Sequence, residues 1–168
     1  MTSTSNPSRR RFLQAAAATA AAPFILPSRI WGAATAPGDK VVMGFIGMGK
    51  QSRGLLNRFL ADEGVQVVAV CDVDTTRRNA AKETVDKKYG NGDCKALIDF
   101  REITENPAID AVCVATPDHW HAVVSLSAVN HGKDVYCEKP LTHNIHEALA
   151  LTAAARKNNR VLQTGSMQ

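Results

Sequence analysis

The chain has 168 residues, 45% of them hydrophobic and 5% aromatic, with 20 Lys and Arg against 16 Asp and Glu. That composition suits one ordinary globular domain with a tail and excludes a low-complexity, collagen-like or disulfide-dense scaffold. The excess positive charge lies in Arg9, Arg10, Arg11 and Arg29. From Asp39 onward acids and bases balance, so no basic stripe points to nucleic acid.

The N-terminal segment contains Ser8-Arg9-Arg10-Arg11-Phe12-Leu13-Gln14, then Ala15–Ala22, Pro23, Phe24-Ile25-Leu26 and Pro27. This apolar run is too short and too proline-cut for a membrane-spanning helix, which needs roughly 20 residues. An arginine pair, Phe-Leu and an apolar run in that order resemble a twin-arginine export signal. Residues 1–36 are therefore expected to be leader and spacer. Cleavage is expected after Ala34-Thr35-Ala36 or, since Pro37 is a poor residue to follow a cut, after Gly32-Ala33-Ala34. The resemblance implies the export machinery as a partner and the periplasm as destination. The pathway carries folded proteins, so it also implies a cofactor loaded before export and tightly held.

The rest of the chain alternates strand and helix. Val41–Ile46 reads as a strand running into Gly47. Over Ser52–Glu63, Leu55, Leu56, Phe59 and Leu60 form the apolar stripe of a helix lying on a sheet. Val65–Val73 is a second strand with too few polar positions to be half exposed. Thr75 or Thr76 is expected to cap a helix through about Tyr89, with Ala81, Val85 and Tyr89 on one face. After an Asn91-Gly92-Asp93 turn come a short strand near Lys95–Ile98 and a helical turn at Phe100–Thr104, ended by Asn106-Pro107. Ala111–Ala115 is a buried strand, followed by a helix from about His121 to His131 that stops at Gly132. Asp134–Glu138 is the next strand. Asn144-Ile145-His146-Glu147 is a capping box opening a helix to about Asn158, and Val161–Thr164 is the last strand. Buried strands separated by helices predict an α/β fold: a Rossmann-type, doubly wound parallel sheet over 39–168, ordered 3-2-1-4-5-6.

Gly47-Met48-Gly49-Lys50-Gln51-Ser52 stands between the first strand and helix, where a dinucleotide fingerprint belongs, with Ser52 in place of the third glycine. Gly47 is expected to make the turn, and Gly49 to let a diphosphate approach the helix N-terminus with Met48 between them. Asp72, at the end of the second strand, is placed to accept the adenosine ribose hydroxyls and to repel a 2′-phosphate, which favours NAD. Arg77 folding over that edge would leave NADP open. The pairs His119/His121 and His143/His146 lack a Cys or carboxylate that would complete a ligand set, so no metal is expected. Cys71, Cys94, Cys113 and Cys137 show no C-x-x-C spacing and are expected to be free thiols, those in strands serving as small core residues.

Asp110 to His121, with its Ala115-Thr116-Pro117 loop, and Val135 to Leu141, with Glu138-Lys139-Pro140, resemble the Gfo/Idh/MocA oxidoreductases. That family includes glucose–fructose oxidoreductase and inositol dehydrogenases, and the resemblance spans Lys40–Gln168. It implies that Thr116 and Pro117 line the nicotinamide ribose with His119 and His121 nearby. It implies that Glu138 contacts the nicotinamide side, and that Lys139 handles the proton of a carbohydrate-like substrate's hydroxyl as hydride leaves. A cis Lys139–Pro140 bond is expected. The family also places a second α/β domain, which binds substrate and makes a homo-oligomer, after this one. The chain is therefore expected to be the cofactor half with the C-terminal substrate domain missing, and inactive alone. Some exported relatives cleave glycosides with a retained NAD, so hydrolysis is an alternative. A non-catalytic nucleotide-binding module is a third reading.

Overall fold

A computed structural model describes residues 37–166. The leader motif, its apolar run and both cleavage options lie outside the described residues. A single 3-10 turn at Pro37–Asp39 leads into β1 (Val41–Ile46), α1 (Lys50–Ala61), β2 (Val65–Cys71), α2 (Thr75–Tyr89), β3 (Lys95–Leu97) and α3 (Arg101–Thr104). Then follow β4 (Ala111–Val114), α4 (Asp118–Asn130), β5 (Asp134–Glu138), α5 (Ile145–Lys157) and β6 (Leu162–Gly165).

The six strands form one sheet in the order β3-β2-β1-β4-β5-β6, every neighbouring pair parallel. Both faces are covered, which is why these strands carry few polar residues. On one face Phe45, Val67 and Val70 meet Leu55, Leu56, Leu60, Ala81 and Val85 from α1 and α2. On the other, Ile46, Val112, Val114 and Val135 meet Val124, Ala128, Val129 and Leu151 from α4 and α5. Phe59 is only partly buried and stands edge-on between Phe45 and Tyr136, with ring centroids 5.7 Å away on each side. The chain reverses its direction of travel across the sheet between β1 and β4, and the crevice at that switch point is where such sheets take ligands.

The local signals mostly act as the sequence predicts. Tyr89 turns its hydroxyl to accept the Val67 N–H at 2.9 Å, and Gly132 adopts φ 76° just past α4. Asn144 accepts the Glu147 N–H at 2.9 Å, while the Glu147 carboxylate accepts from His143 N and from the Asn144 side-chain Nδ2 rather than from the Asn144 backbone N–H. Two expectations are corrected. Helix α2 is capped by Asp74, not by Thr75 or Thr76, because one carboxylate oxygen takes two N–H groups, Thr76 at 2.8 Å and Arg77 at 3.0 Å. Helix α4 begins at Asp118 rather than His121. Pro117, extended at φ −58° and ψ 147°, supplies its N-terminal boundary, so both His119 and His121 lie in the first turn. Strand β2 ends at Cys71, just before Asp72.

All four cysteines are buried free thiols. Burial pushes Cys71 up to about 12 and Cys94 and Cys137 to about 11, and it raises Cys113 as well, so none is a thiolate near neutrality. Lys133 is only 4% exposed. Its ammonium donates to the Asn106 carbonyl at 2.5 Å and the Ile109 carbonyl at 2.7 Å, pinning the start of β5 to the loop before β4. Replacing Lys133 with Met, which fills similar space without donors, leaves both carbonyls unmet. The expected loss is roughly 1–3 kcal/mol in a urea melt, and an unchanged midpoint would show that the pin contributes nothing.

Candidate functional site

The site begins where β1 runs out. Gly47 donates its N–H to the Cys71 carbonyl at 2.8 Å and turns at φ 86°. A Cβ there would lie 2.6 Å from the Thr116 nitrogen and 2.7 Å from the Ala115 carbonyl group. The turn is thus pressed against the end of β4, and only glycine fits both the conformation and the gap. Gly49 differs: a Cβ would meet nothing within 4 Å, because this residue faces the crevice. It is the N-cap of α1, and no side chain caps that helix. The helix therefore presents backbone N–H groups and the positive end of its dipole to the cavity. Ser52, in the third-glycine position, is fully buried and donates its hydroxyl to the Met48 sulfur at 3.6 Å.

The second wall is the turn after β2. Asp72 accepts the Met48 N–H at 2.6 Å through one carboxylate oxygen and the Asp74 N–H at 2.8 Å through the other. Arg78, buried beneath, donates to the Asp72 carbonyl at 2.7 Å and to the Thr75 hydroxyl at 3.3 Å. The carboxylate is held in a fixed orientation, and each oxygen keeps a further acceptor position. Met48 enters the site through its backbone alone. Its side chain is buried in the core, and its N–H is committed to Asp72. Arg77 lies half exposed, its Nε 3.6 Å from Asp74 Oδ2. The cap hydrogen bonds and this guanidinium hold the Asp74 carboxyl below its usual range.

Between these walls and the end of β4 lies a cavity of about 790 Å³, lined among others by Gly49, Asp72, Arg77, Thr116, Pro117 and Trp120. Thr116 Oγ1 faces no hydrogen-bond partner although the atom is buried. Trp120 is partly exposed beside the cavity and packs edge-on to Phe100 at 6.1 Å. The sequence reading missed this side, including Ile98, Phe100 and Trp120. The usable signal was position: Ile98 and Phe100 follow the carboxyl end of β3, the same edge that identified the other site residues.

Glu138 and Lys139 stand at the carboxyl end of the neighbouring strand, β5, outside the lining of that cavity. Glu138 is 4% exposed, so it is no solvated strand-end residue. Its carboxylate accepts from Gln51 Nε2 at 3.2 Å and from the Lys139 N–H at 3.3 Å. Lys139 itself is exposed, and the Lys139–Pro140 bond is cis. The two histidines separate. His119 is exposed, its ring 6.3 Å from that of Trp120. His121 is buried with both ring nitrogens facing backbone carbonyls, which removes it from direct contact with a ligand in the cavity.

Residues 41–166 match the family described as an oxidoreductase family with an NAD-binding Rossmann fold, Gfo/Idh/MocA. The chain belongs to that family. Residues 6–25 match a twin-arginine pathway signal sequence, so this Gfo/Idh/MocA member is addressed for export by that route. No helix among the described residues is long and apolar enough to cross a membrane. A glycosyl hydrolase family 109 protein of Saccharopolyspora erythraea is 33% identical over 129 residues, 73% of this chain and 27% of its own length. A 1-carboxy-3-chloro-3,4-dihydroxycyclohexa-1,5-diene dehydrogenase of Comamonas testosteroni is 31% identical over 123 residues, 73% of this chain and 30% of that one. The chain thus spans less than a third of these two relatives. A crystal structure of a 3-ketoreductase from Actinomadura kijaniata in complex with NADP and TDP-benzene superposes with a TM-score of 0.66 at 26% identity. It covers 75% of this chain and 37% of the ketoreductase.

The close fit at Gly47 makes a direct test of the turn. Gly47→Ala forces a side chain into a left-handed position and into the Ala115–Thr116 backbone. It should cost roughly 2–4 kcal/mol of stability by chemical denaturation, whereas Gly49→Ala, with open space around its Cβ, should leave the fold nearly unchanged.

Proposed function

We propose that residues 39–168 form the dinucleotide-binding part of an exported oxidoreductase that moves hydride between a nicotinamide cofactor and a carbon of a sugar, cyclitol or related compound. In this reading residues 1–36 are leader and spacer, and the folded chain takes up its cofactor before export. The observation that carries the reading is the N-terminus of α1, capped by no side chain and opening onto a cavity that the fixed carboxylate of Asp72 also lines.

The residues present fit the cofactor. Gly49 leaves the space a diphosphate needs, and α1 offers N–H donors and a favourable dipole there. Asp72 has acceptor positions to spare for two ribose hydroxyls. Its charge opposes a 2′-phosphate, and Arg77 is drawn toward Asp74 instead of compensating, so NAD is preferred over NADP. Thr116 Oγ1 supplies a polar group that no protein atom satisfies, and Pro117 lines the wall beside it.

When bound, the nicotinamide ring supplies the hydride acceptor. The chain's own part is to position and to move a proton. Lys139, exposed at the end of β5, exchanges the proton of the substrate hydroxyl. Glu138, held by Gln51 from α1, ties that strand end to the phosphate-facing helix and borders the nicotinamide side. His119, exposed beside Trp120 in the first turn of α4, stays near the nicotinamide side in this reading. The substrate, the activity and the homo-oligomeric assembly of the whole protein belong to this proposal.

A second reading is favoured by the glycosyl hydrolase family 109 relative: the same cofactor site serving glycoside cleavage without net redox change. A full-length protein that releases sugar without accumulating NADH would establish it, and NADH build-up with a sugar or polyol would exclude it.

The cofactor assignment is tested by calorimetric titration of the 168-residue chain with NAD and NADP. NAD should bind more tightly than NADP, and Asp72→Asn should weaken NAD by about tenfold while narrowing the gap to NADP. Equal affinities in the wild type, or an Asp72→Asn chain that binds as the wild type does, would overturn it.

A further inference from the structure

The proposed chemistry draws on two separate loops, one after β4 carrying Thr116 and Pro117 and one after β5 carrying Lys139 and Pro140. A single side chain joins them. His121, 1% exposed in the first turn of α4, sets Nδ1 2.6 Å from the Pro140 carbonyl oxygen and Nε2 2.9 Å from the Thr116 carbonyl oxygen. A carbonyl oxygen only accepts, so a ring with one hydrogen donates to one of the two and a ring with a hydrogen on each nitrogen donates to both. A leucine in this place would remove the polar partner from both carbonyls, and an amide side chain would donate from one nitrogen only. A ring with donors at opposite edges spans the gap. The titratable groups on the elements around it are Asp118 and His119 on α4, Glu138 and Lys139 on the turn after β5, and His143, His146 and Glu147 at the start of α5.

We propose that His121 is a positioning residue: by bridging the Thr116 and Pro140 carbonyls it registers the Lys139–Pro140 turn on the Thr116–Pro117 loop, so that a dinucleotide seated against that loop also orders the backbone carrying Lys139. This role gives His121, expected near the nicotinamide ribose, an indirect part there, and it rests on the cofactor reading above. It also explains how Lys139 is aligned although it lies outside the cavity lining. The second tie to the same turn, from Gln51 to Glu138, comes from α1. The turn is therefore gripped from both faces of the sheet.

Hydrogen exchange of the full chain, with and without saturating NAD, tests the link in the wild type, His121→Leu and His121→Gln. In the wild type NAD should slow exchange at Lys139, Leu141 and Thr142 about five- to tenfold, together with the first turn of α1. In His121→Leu the protection of α1 should persist while that of 139–142 is lost, and His121→Gln, whose donors sit on a single nitrogen, should recover part of it. Full protection of 139–142 in His121→Leu would overturn the proposal, as would a loss of protection spread evenly over β1 and β2. Imidazole nitrogen NMR on the wild type gives a check that needs no variant to fold. Hydrogen on both ring nitrogens of His121 supports the bridge, and one bare nitrogen overturns it. A wild-type chain that NAD does not protect anywhere contradicts the cofactor reading instead, and the ring spectrum then decides the bridge alone.

Discussion

The contact between Gly47 and the Ala115–Thr116 backbone governs the rest of the site. A turn this tight, at φ 86° with no room for a Cβ, swings α1 up so that its N-terminus faces the gap between β1 and β4. Parallel sheets leave such a gap where the winding reverses, and the N-terminus of α1 brings aligned backbone donors to it. Once the turn is fixed, Met48 N–H falls within reach of Asp72, and the acid at the end of one strand becomes oriented by the loop of another. The placement of the α1 N-terminus, the Asp72 carboxylate and the β4 loop around one cavity follows from one steric constraint.

Electrostatics then divides the edge into two regions. Around α2 the charges neutralise one another locally: Asp74 serves as cap and partner of Arg77, and Arg78 is absorbed by the Asp72 carbonyl and the Thr75 hydroxyl. Asp72 accepts two backbone N–H groups and keeps acceptor positions that no described residue fills. At the β5 end the pattern inverts. Glu138 is buried and engaged, while Lys139 stands exposed. A buried, engaged acid beside an exposed lysine sets the β5 end apart from the β2 end, where the Asp72 carboxylate is fixed by two backbone N–H groups. The twin-arginine signal is consistent with a cofactor enclosed within a folded domain before export.

Much of this was legible in the sequence because it rests on short-range signals. The glycine pair, the uniformly apolar strands, the Asn144–Glu147 box and the Gly132 stop each act within a few residues, and with them the strand order and the turn after β1 could be read. What escaped depends on tertiary partners. Asp74 outcompetes two threonines as a cap because its carboxylate reaches two N–H groups from just outside the helix. His121 reads like a ligand-facing histidine until the helix is seen to begin at Asp118, which turns the ring inward onto two carbonyls. Trp120 and Phe100 meet across α4 and the segment after β3, a pairing that no local pattern announces.

The account stands or falls on where the diphosphate lies. Backbone amide NMR during titration of the 168-residue chain with NAD tests this residue by residue. Large shifts confined to Gly47–Ser52, Asp72–Asp74 and Ala115–Pro117 are predicted, with the Gly49 and Lys50 amides moving most. Shifts centred away from the α1 N-terminus, or a spectrum that NAD leaves unchanged, would contradict it.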